Sequence, residues 1–425
     1  MLSHSINISL AVAARAFGIL SLFLCNLVIA RHFGPDGMGY FQICYSTILI
    51  ASTAGRLGLD QSGLRKAAAT SQNDVQALSR WMSASLQAAA TGLSLAVIFL
   101  LLVYGFGFWP RAAQQNGLSY PLFMLAILPM GLLGLLTETL RGRQIVKLAI
   151  LLQGTLGQGL FLMALLVACT LFAAGWTIIA LLYVSSMTCA LACAAWIWRK
   201  HLSSITMIID PAAAMANAKA ASGLWISTFL TAIAASIDVL VLGFMAPPDV
   251  VGHYSAIIRT GALIGTFIQV STAAYVPIAA ADFAQRRIHK FLKDAWRLSA
   301  IFALGAVPAA IALYIWRDLF GVLWGAGFKD QSDLLVIYGV AQLLQATVVI
   351  SGLLLPVMHV DRALVLLAAL GLLLRAGGTG LGFALGGLSG AVWGMSAALL
   401  AGNIAALIVF FFAVAAQRKS CAVTT

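Results

Sequence analysis

Phe33–Phe41 reads FGPDGMGYF and lies between two long apolar runs; 213 residues further on, Ala246–Tyr254 reads APPDVVGHY. The two nonapeptides align Pro35 with Pro248, Asp36 with Asp249 and Gly39 with Gly252, and each closes on an aromatic residue, Phe41 or Tyr254. A proline stops the helix before it, an aspartate caps the helix after it, and a glycine three residues on lets that helix approach a neighbour closely. Any tight helical hairpin asks for these residues, so each connector alone says little. Their placement says more.

Of the 425 residues, 62% are apolar and only 9% are charged, with a mean hydropathy of +0.99. That leaves too little polar surface to cover a soluble fold. Apolar runs long enough to cross a bilayer recur along the whole chain, and their continuity excludes the alternating strands of a membrane barrel. The expected spans are 8–30, 40–64, 82–108, 119–140, 145–173, 176–198, 223–246, 254–281, 292–316, 332–358, 362–386 and 389–416. The repeated connector thus joins spans one and two, and again spans seven and eight. Six spans separate the equivalents, so both halves enter the membrane in the same sense, as parallel repeats do. A second echo supports the duplication: basic, amphipathic linkers, SQNDVQALSRWM and AQRRIHKFLKDAW, follow spans two and eight. The expectation is an all-α membrane protein of about 12 transmembrane helices in two six-helix bundles. The N-terminal bundle covers 1–200, a linker 201–222, the C-terminal bundle 223–416 and a tail 417–425.

The excess of basic residues, net +12, is read through topology rather than nucleic-acid binding. With both termini inside, 17 Lys and Arg fall on the cytoplasmic side, 4 on the outer side and 4 within the membrane, an asymmetry that fixes the orientation. The N-terminus lacks a basic n-region, and Arg15 interrupts its apolar run, so span one is expected to be retained. In the linker Arg286–Arg297, Ile288, Phe291, Leu292 and Ala295 share one face, which reads as an interfacial anchor on anionic lipid. Cysteines and histidines show no metal-ligand spacing, and neither metal nor cofactor is expected. There is no GxxxxGK[ST] run, so direct ATP hydrolysis is unsupported.

Ionisable residues inside a membrane are costly and default to function. Four arginines, Arg15, Arg56, Arg259 and Arg375, stand against Asp60 and Asp238, with Glu138 bordering a span. The cationic excess suits an anionic cargo, and the planar arginine fork suits a pyrophosphate. Arg15 and Arg56 are expected at similar depth, about 10–12 Å from the inner surface. The carboxylates Asp60, Asp238 and Glu138 are candidates for ion coupling or for charge pairing: Arg56 and Asp60 are four apart on one helix face, and Asp238 and Arg259 share the outer part of the second bundle. The glycines 378, 382, 386, 390 and 394 form a close-packing seam. Pro129, Pro277, Pro308 and Pro356 lie within spans and can bend them. Gln153, Gln158, Gln342 and Asn403 are dispersed polar groups of the kind that recognise sugars.

The run from Ile29 to Ala68, IARHFGPDGMGYFQICYSTILIASTAGRLGLDQSGLRKAA, resembles the N-terminal signature of polysaccharide (Wzx-type, O-antigen) flippases of the multidrug/oligosaccharidyl-lipid/polysaccharide exporter superfamily. Ala30, Arg31, Phe33, Gly34, Pro35, Gly39 and Phe41 match the family's connector, and Gly58, Leu59, Asp60 and Ser62 match the end of its second helix. LFGVLWGAGFKDQSDLLVIYG (319–339) and GGLSGAVWGMSAALLAGNI (386–404) are similar to its approaches to spans ten and twelve. The resemblance implies two bundles around a central cavity, working by alternating access in a bacterial cytoplasmic membrane. It implies an undecaprenyl-pyrophosphate-linked oligosaccharide as cargo, with membrane lipid and the polysaccharide polymerase and chain-length machinery as partners, and no nucleic acid. It also implies functional arginines in spans one, two and eight, where Arg15, Arg56 and Arg259 fall. Two other readings compete. An ion-coupled multidrug exporter of the same superfamily is disfavoured by the arginine excess. A membrane polymerase or ligase is disfavoured by the short outer loops, which leave no room for a reactive site.

Overall fold

The structure, a computed structural model, describes residues 2–70, 74–110, 117–171, 175–201, 209–273, 275–285, 287–358 and 360–423, and their regular structure is entirely helical. The helical run Leu2–Gly55 is broken at Gly34, whose φ of 68° suits glycine, giving α1 (2–33) and α2 (35–55). Then come α3 (Leu59–Ala69), α4 (Val75–Gly105), α5 (Ser119–Met124), α6 (Ile127–Gly142), α7 (Val146–Ile150), α8 (Gly157–Leu171) and α9 (Trp176–His201). Next are α10 (Pro211–Ala234), α11 (Ile237–Met245), α12 (Pro248–Ala273), α13 (Tyr275–Ala284), α14 (Ile288–Ile315), α15 (Leu319–Trp324) and α16 (Ser332–Leu354). The last helical run, Asp361–Val423, breaks at Gly386 and Gly387 into α17 (361–385) and α18 (388–423). Counting α2 with α3, α5 with α6, α7 with α8, α10 with α11 and α12 with α13 as one pass each, and setting the short α15 aside, the described helices trace twelve passes. Eight stretches are apolar and long enough to cross a bilayer, and two of these, 16–55 and 363–415, each hold two helices joined at a glycine break.

Local chemistry explains several boundaries. Asp74 and Asp210 cap α4 and α10, accepting from the backbone N–H of Ala77 and Ala213 at 3.2 and 2.9 Å, and Pro211 occupies the first turn of α10. The connectors differ from the sequence reading here. Pro248 begins α12, so Asp249 sits inside the first turn, favoured by the positive helix end rather than acting as the cap. Pro129 lacks an N–H and its ring crowds the carbonyl of Leu125, which accounts for the break between α5 and α6 at Leu125–Ala126. Pro356 lies in the 3-10 turn Leu355–Met358 at the end of α16, and Pro308 sits inside continuous α14.

The chain divides into two compact units. The first comprises Met1–Phe33 and Tyr40–Ser236, the second Gly34–Gly39 and Ile237–Thr425. The sequence reading began the second bundle at 223 after a linker from 201. The structure instead has one helix from Pro211 to Ala234 that groups with the first unit. In the first unit Phe41, Phe123, Phe161 and Tyr183 form an aromatic core, with Phe41 stacked on Phe161 at 6.0 Å. A second cluster around Leu59, Leu133, Leu140 and Trp198 includes Ala214 and Ala221 of α10. In the second unit Ala279, Phe291, Ala295, Ile350, Leu354 and Phe410 share a core. Phe291 and Ala295 therefore turn their face into protein, a correction to the reading of this linker as a lipid anchor; the side chain of Ile288 lies outside the described residues.

The repeated connectors meet within the second unit. A Cβ on Gly39 would strike the carbonyl oxygen of Pro248, and one on Gly252 would strike that of Pro35. The two glycines thus make reciprocal backbone contacts, the reason both copies keep glycine at this place. Gly378 with Gly394, and Gly382 with Gly390, do the same between α17 and α18. Val at position 39 or 252 is expected to cost about 1–3 kcal/mol through forced backbone displacement. Thermal unfolding in detergent reads this as a lower midpoint, and a midpoint equal to wild type for both variants would remove the close-approach account.

Candidate functional site

Within the first unit the second pass unwinds over Arg56–Leu57–Gly58. Leu57 (φ 55°) and Gly58 (φ 74°) both adopt the left-handed conformation, costly for leucine by about 1–2 kcal/mol. A Cβ on Gly58 would meet the backbone of Trp225 and Ala221, so only glycine lets α10 seat against the break. The indole of Trp225 donates to the carbonyl of Ala54, 2.9 Å away, which also accepts the turn bond from the Leu57 N–H at 3.1 Å.

This break presents Arg56. Its guanidinium donates to Thr53 Oγ1 at 2.9 Å and lies 3.5 Å from the Asp60 carboxylate, with side chains 15% and 7% exposed. Gly134 of α6 makes the space, since a Cβ there would collide with Arg56 Nη1. The Arg56 Nε–H is buried and has no hydrogen-bond partner among the described residues. One turn beyond Gly134, on the same face of α6, buried Glu138 accepts from Arg141 at 3.0 and 3.2 Å and from Gln153 at 2.9 Å. Gln153 sits on a π-helical turn, Leu151–Leu156, that links α7 and α8 and alters which residues face α6. Of the two expected roles for Asp60 and Glu138, charge pairing is the one these contacts display. The side chain of Arg15, on α1, lies outside the described residues.

Within the second unit, Asp238 lies in the first turn of α11. Its carboxylate, 4% exposed, accepts from the Tyr254 hydroxyl at 3.0 Å, and Tyr254 Oη lies 3.5 Å from Thr379 Oγ1. Asp238, Arg259 and Arg375 all lie within electrostatic reach of the Tyr338 phenol. From Tyr338 a line of amides runs outward: Gln342 donates to Tyr338 Oη at 2.7 Å, Gln345 donates to Gln342 Oε1, and Asn403 donates to Gln345 Oε1 at 3.0 Å.

Arg56, Asp60 and Glu138 thus lie in the first unit, and Arg259, Asp238 and Arg375 in the second. Sequence reasoning missed Tyr254, Tyr338, Thr379 and Gln345. Tyr254 had a signal. It occupies the place of Phe41 in the echo, and the one added oxygen is the atom that binds Asp238, while Phe41 stacks in an apolar core.

Solved structures share this architecture. The chain superposes with TM-score 0.80 on an inward-facing multidrug resistance MATE family transporter of the MOP superfamily, at 14% identity over 96% of this chain and 99% of that one. The lipid II flippase MurJ, in an inward closed conformation, gives TM-score 0.68 at 13% identity over 94% and 87%. The Vibrio cholerae MATE transporter VcmN in its bent form gives 0.60 at 14% identity over 99% of each chain. At such identities the likeness is one of fold, that of a multi-pass, all-helical membrane protein. No curated protein sequence matches. The family model described as polysaccharide biosynthesis protein matches residues 7–281, and the chain belongs to that family.

Proposed function

We propose that this protein is a transporter that flips an undecaprenyl-pyrophosphate-linked oligosaccharide, an O-antigen or exopolysaccharide repeat unit, from the inner to the outer leaflet by alternating access. On this reading it is a multi-pass protein of a bacterial cytoplasmic membrane with both termini cytoplasmic, serving the polymerase and chain-length machinery. The observation that carries the reading is the match of residues 7–281 to the polysaccharide biosynthesis family. Arg259 and Arg375, which act on the Tyr338 phenol together with the buried Asp238, agree with it by placing guanidinium groups in the second unit. A cation in hydrocarbon costs at least ~2.5 kcal/mol, and a counter-ion, a wet surface or a bound anion relieves that cost. The pyrophosphate of a carrier lipid is such an anion, and guanidinium groups match it. Membership of the polysaccharide biosynthesis family supports the glycan.

A second reading, ion-coupled export of a cationic drug, has the TM-score of 0.80 to a multidrug transporter in its favour. The family match opposes it, and so do the guanidinium groups near Tyr338, because a cationic drug calls for carboxylates instead.

The test uses proteoliposomes loaded with the lipid-linked repeat unit and a membrane-impermeant enzyme that trims exposed glycan. Wild type is expected to expose the inner pool, and Arg259→Ala or Arg375→Ala to slow exposure about tenfold or more, as loss of a charge-assisted hydrogen bond does. Export of a cationic dye without glycan exposure would replace this reading with the second.

A further inference from the structure

The four dispersed amides of the sequence are not equivalent once folded. Gln153 is held by Glu138, and Gln158 is buried. Gln342 is buried between Tyr338 and Gln345. Asn403 and Gln345 are only half-buried, at the outer end of the amide line. All the donors in that line point towards Tyr338. This leaves the Asn403 carbonyl oxygen with no hydrogen bond from the described residues, and Gln345 with a second N–H beyond the one given to Gln342. Accessible amide groups that faced lipid tails would lose their hydration without replacement, so this edge belongs on a wet surface.

We infer that Asn403 and Gln345 form a glycan-reading edge of the second unit, binding the neutral hydroxyl groups of the cargo's sugars. This rests on the lipid-linked glycan reading and deepens it. The chemistry matches. The pair offers an accepting oxygen beside a donating N–H, and a sugar hydroxyl both accepts and donates. The members of the line are neutral, so the edge has nothing to hold a pyrophosphate and is suited to the sugar instead. Gln342 acts as a positioning residue: it fixes the Gln345 amide through its own bond to Tyr338 and so ties the edge to the charged cluster of Asp238, Arg259 and Arg375. Gln345 is the member that sequence alone gave no reason to select.

The experiment measures binding of two probes to the full-length protein in detergent: undecaprenyl pyrophosphate alone, and the same lipid carrying the host strain's repeat-unit oligosaccharide. Wild type is expected to bind the glycosylated lipid more tightly. The Gln345→Leu/Asn403→Leu variant is expected to lose about tenfold in affinity for the glycosylated lipid, the scale of two neutral hydrogen bonds, with unchanged affinity for the bare lipid. The bare lipid therefore also reports on folding. Equal loss for both probes would make the amide line structural, and no loss for either would remove its role; each overturns the inference. Equal binding of both probes by wild type overturns it too while leaving the flippase reading in place. Failure of wild type to bind either probe would sink the flippase reading itself.

Discussion

The Arg56→Ala/Asp60→Ala double variant is expected to reach the membrane at near wild-type abundance and yet to flip lipid-linked glycan about tenfold to a hundredfold more slowly, whereas each single variant loses abundance and flipping together. The two side chains lie 3.5 Å apart and are 15% and 7% exposed. Removing one partner of so buried a pair strands the other charge, at a cost of about 3–5 kcal/mol; removing both leaves no stranded charge and is often close to neutral. Abundance therefore separates the pair's structural role from any other. If Arg56 does nothing but neutralise Asp60, transport returns with abundance in the double variant, and its place in the flippase reading is refuted. Three features motivate the opposite expectation. Arg56 sits on an unwound segment that forces Leu57 into a left-handed conformation, Gly134 clears room for the guanidinium, and its Nε–H remains unbonded among the described residues. Loss of a hydrogen bond to a charged group costs about 1.5–3 kcal/mol, so flipping should fall about tenfold to a hundredfold even at matched protein levels. Membrane abundance by immunoblot and glycan exposure in proteoliposomes, run on the same preparations, decide between the two.

The fold was legible because its determinants are short-range and periodic. Continuous apolar runs gave the passes, and the Pro35/Pro248 echo gave the equivalence of the halves; the reciprocal contacts of Gly39 and Gly252 follow the role read for those glycines. What the runs could not give is where a pass breaks. At the break over Arg56–Gly58 the indole of Trp225 reaches Ala54, 171 residues away in the chain, and Gly58 admits the backbone of Ala221 and Trp225, contacts that hydropathy does not encode. Nor could hydropathy assign Pro211–Ala234 to the first unit, because its contacts with Ser85 and Trp81 through Asn217 are long-range. The site was half legible. Membrane arginines and carboxylates stand out by their cost in any apolar run. A tyrosine or glutamine is unremarkable there, so Tyr254, Tyr338 and Gln345 emerged only when folding brought them beside those charges.

Asp238 is the test of that assembled cluster. Asp238→Ala is expected to lower stability by about 1–3 kcal/mol, since it strips the buried Tyr254 hydroxyl of its acceptor and takes a negative charge from the groups that act on Tyr338. Tyr254→Phe removes one hydrogen bond to the carboxylate and is expected to cost about 1 kcal/mol. Asp238→Asn lies between them: the amide oxygen still accepts from Tyr254, and the first turn of α11 still receives a polar side chain, but the negative charge favoured at a helix N-terminus is gone. Unfolding midpoints in detergent should rank the variants in that order. The order alone does not separate charge from packing, so the decisive comparison adds Arg375→Gln. If charge is the cause, Asp238→Asn costs less in an Arg375→Gln background than alone, because one of the cations that act on Tyr338 with Asp238 has already been removed; the difference is the coupling energy of the two positions. Equal costs in both backgrounds would show that Asp238 is held for its shape and its hydrogen bond to Tyr254. The guanidinium groups near Tyr338 would then no longer count as support for an anionic cargo.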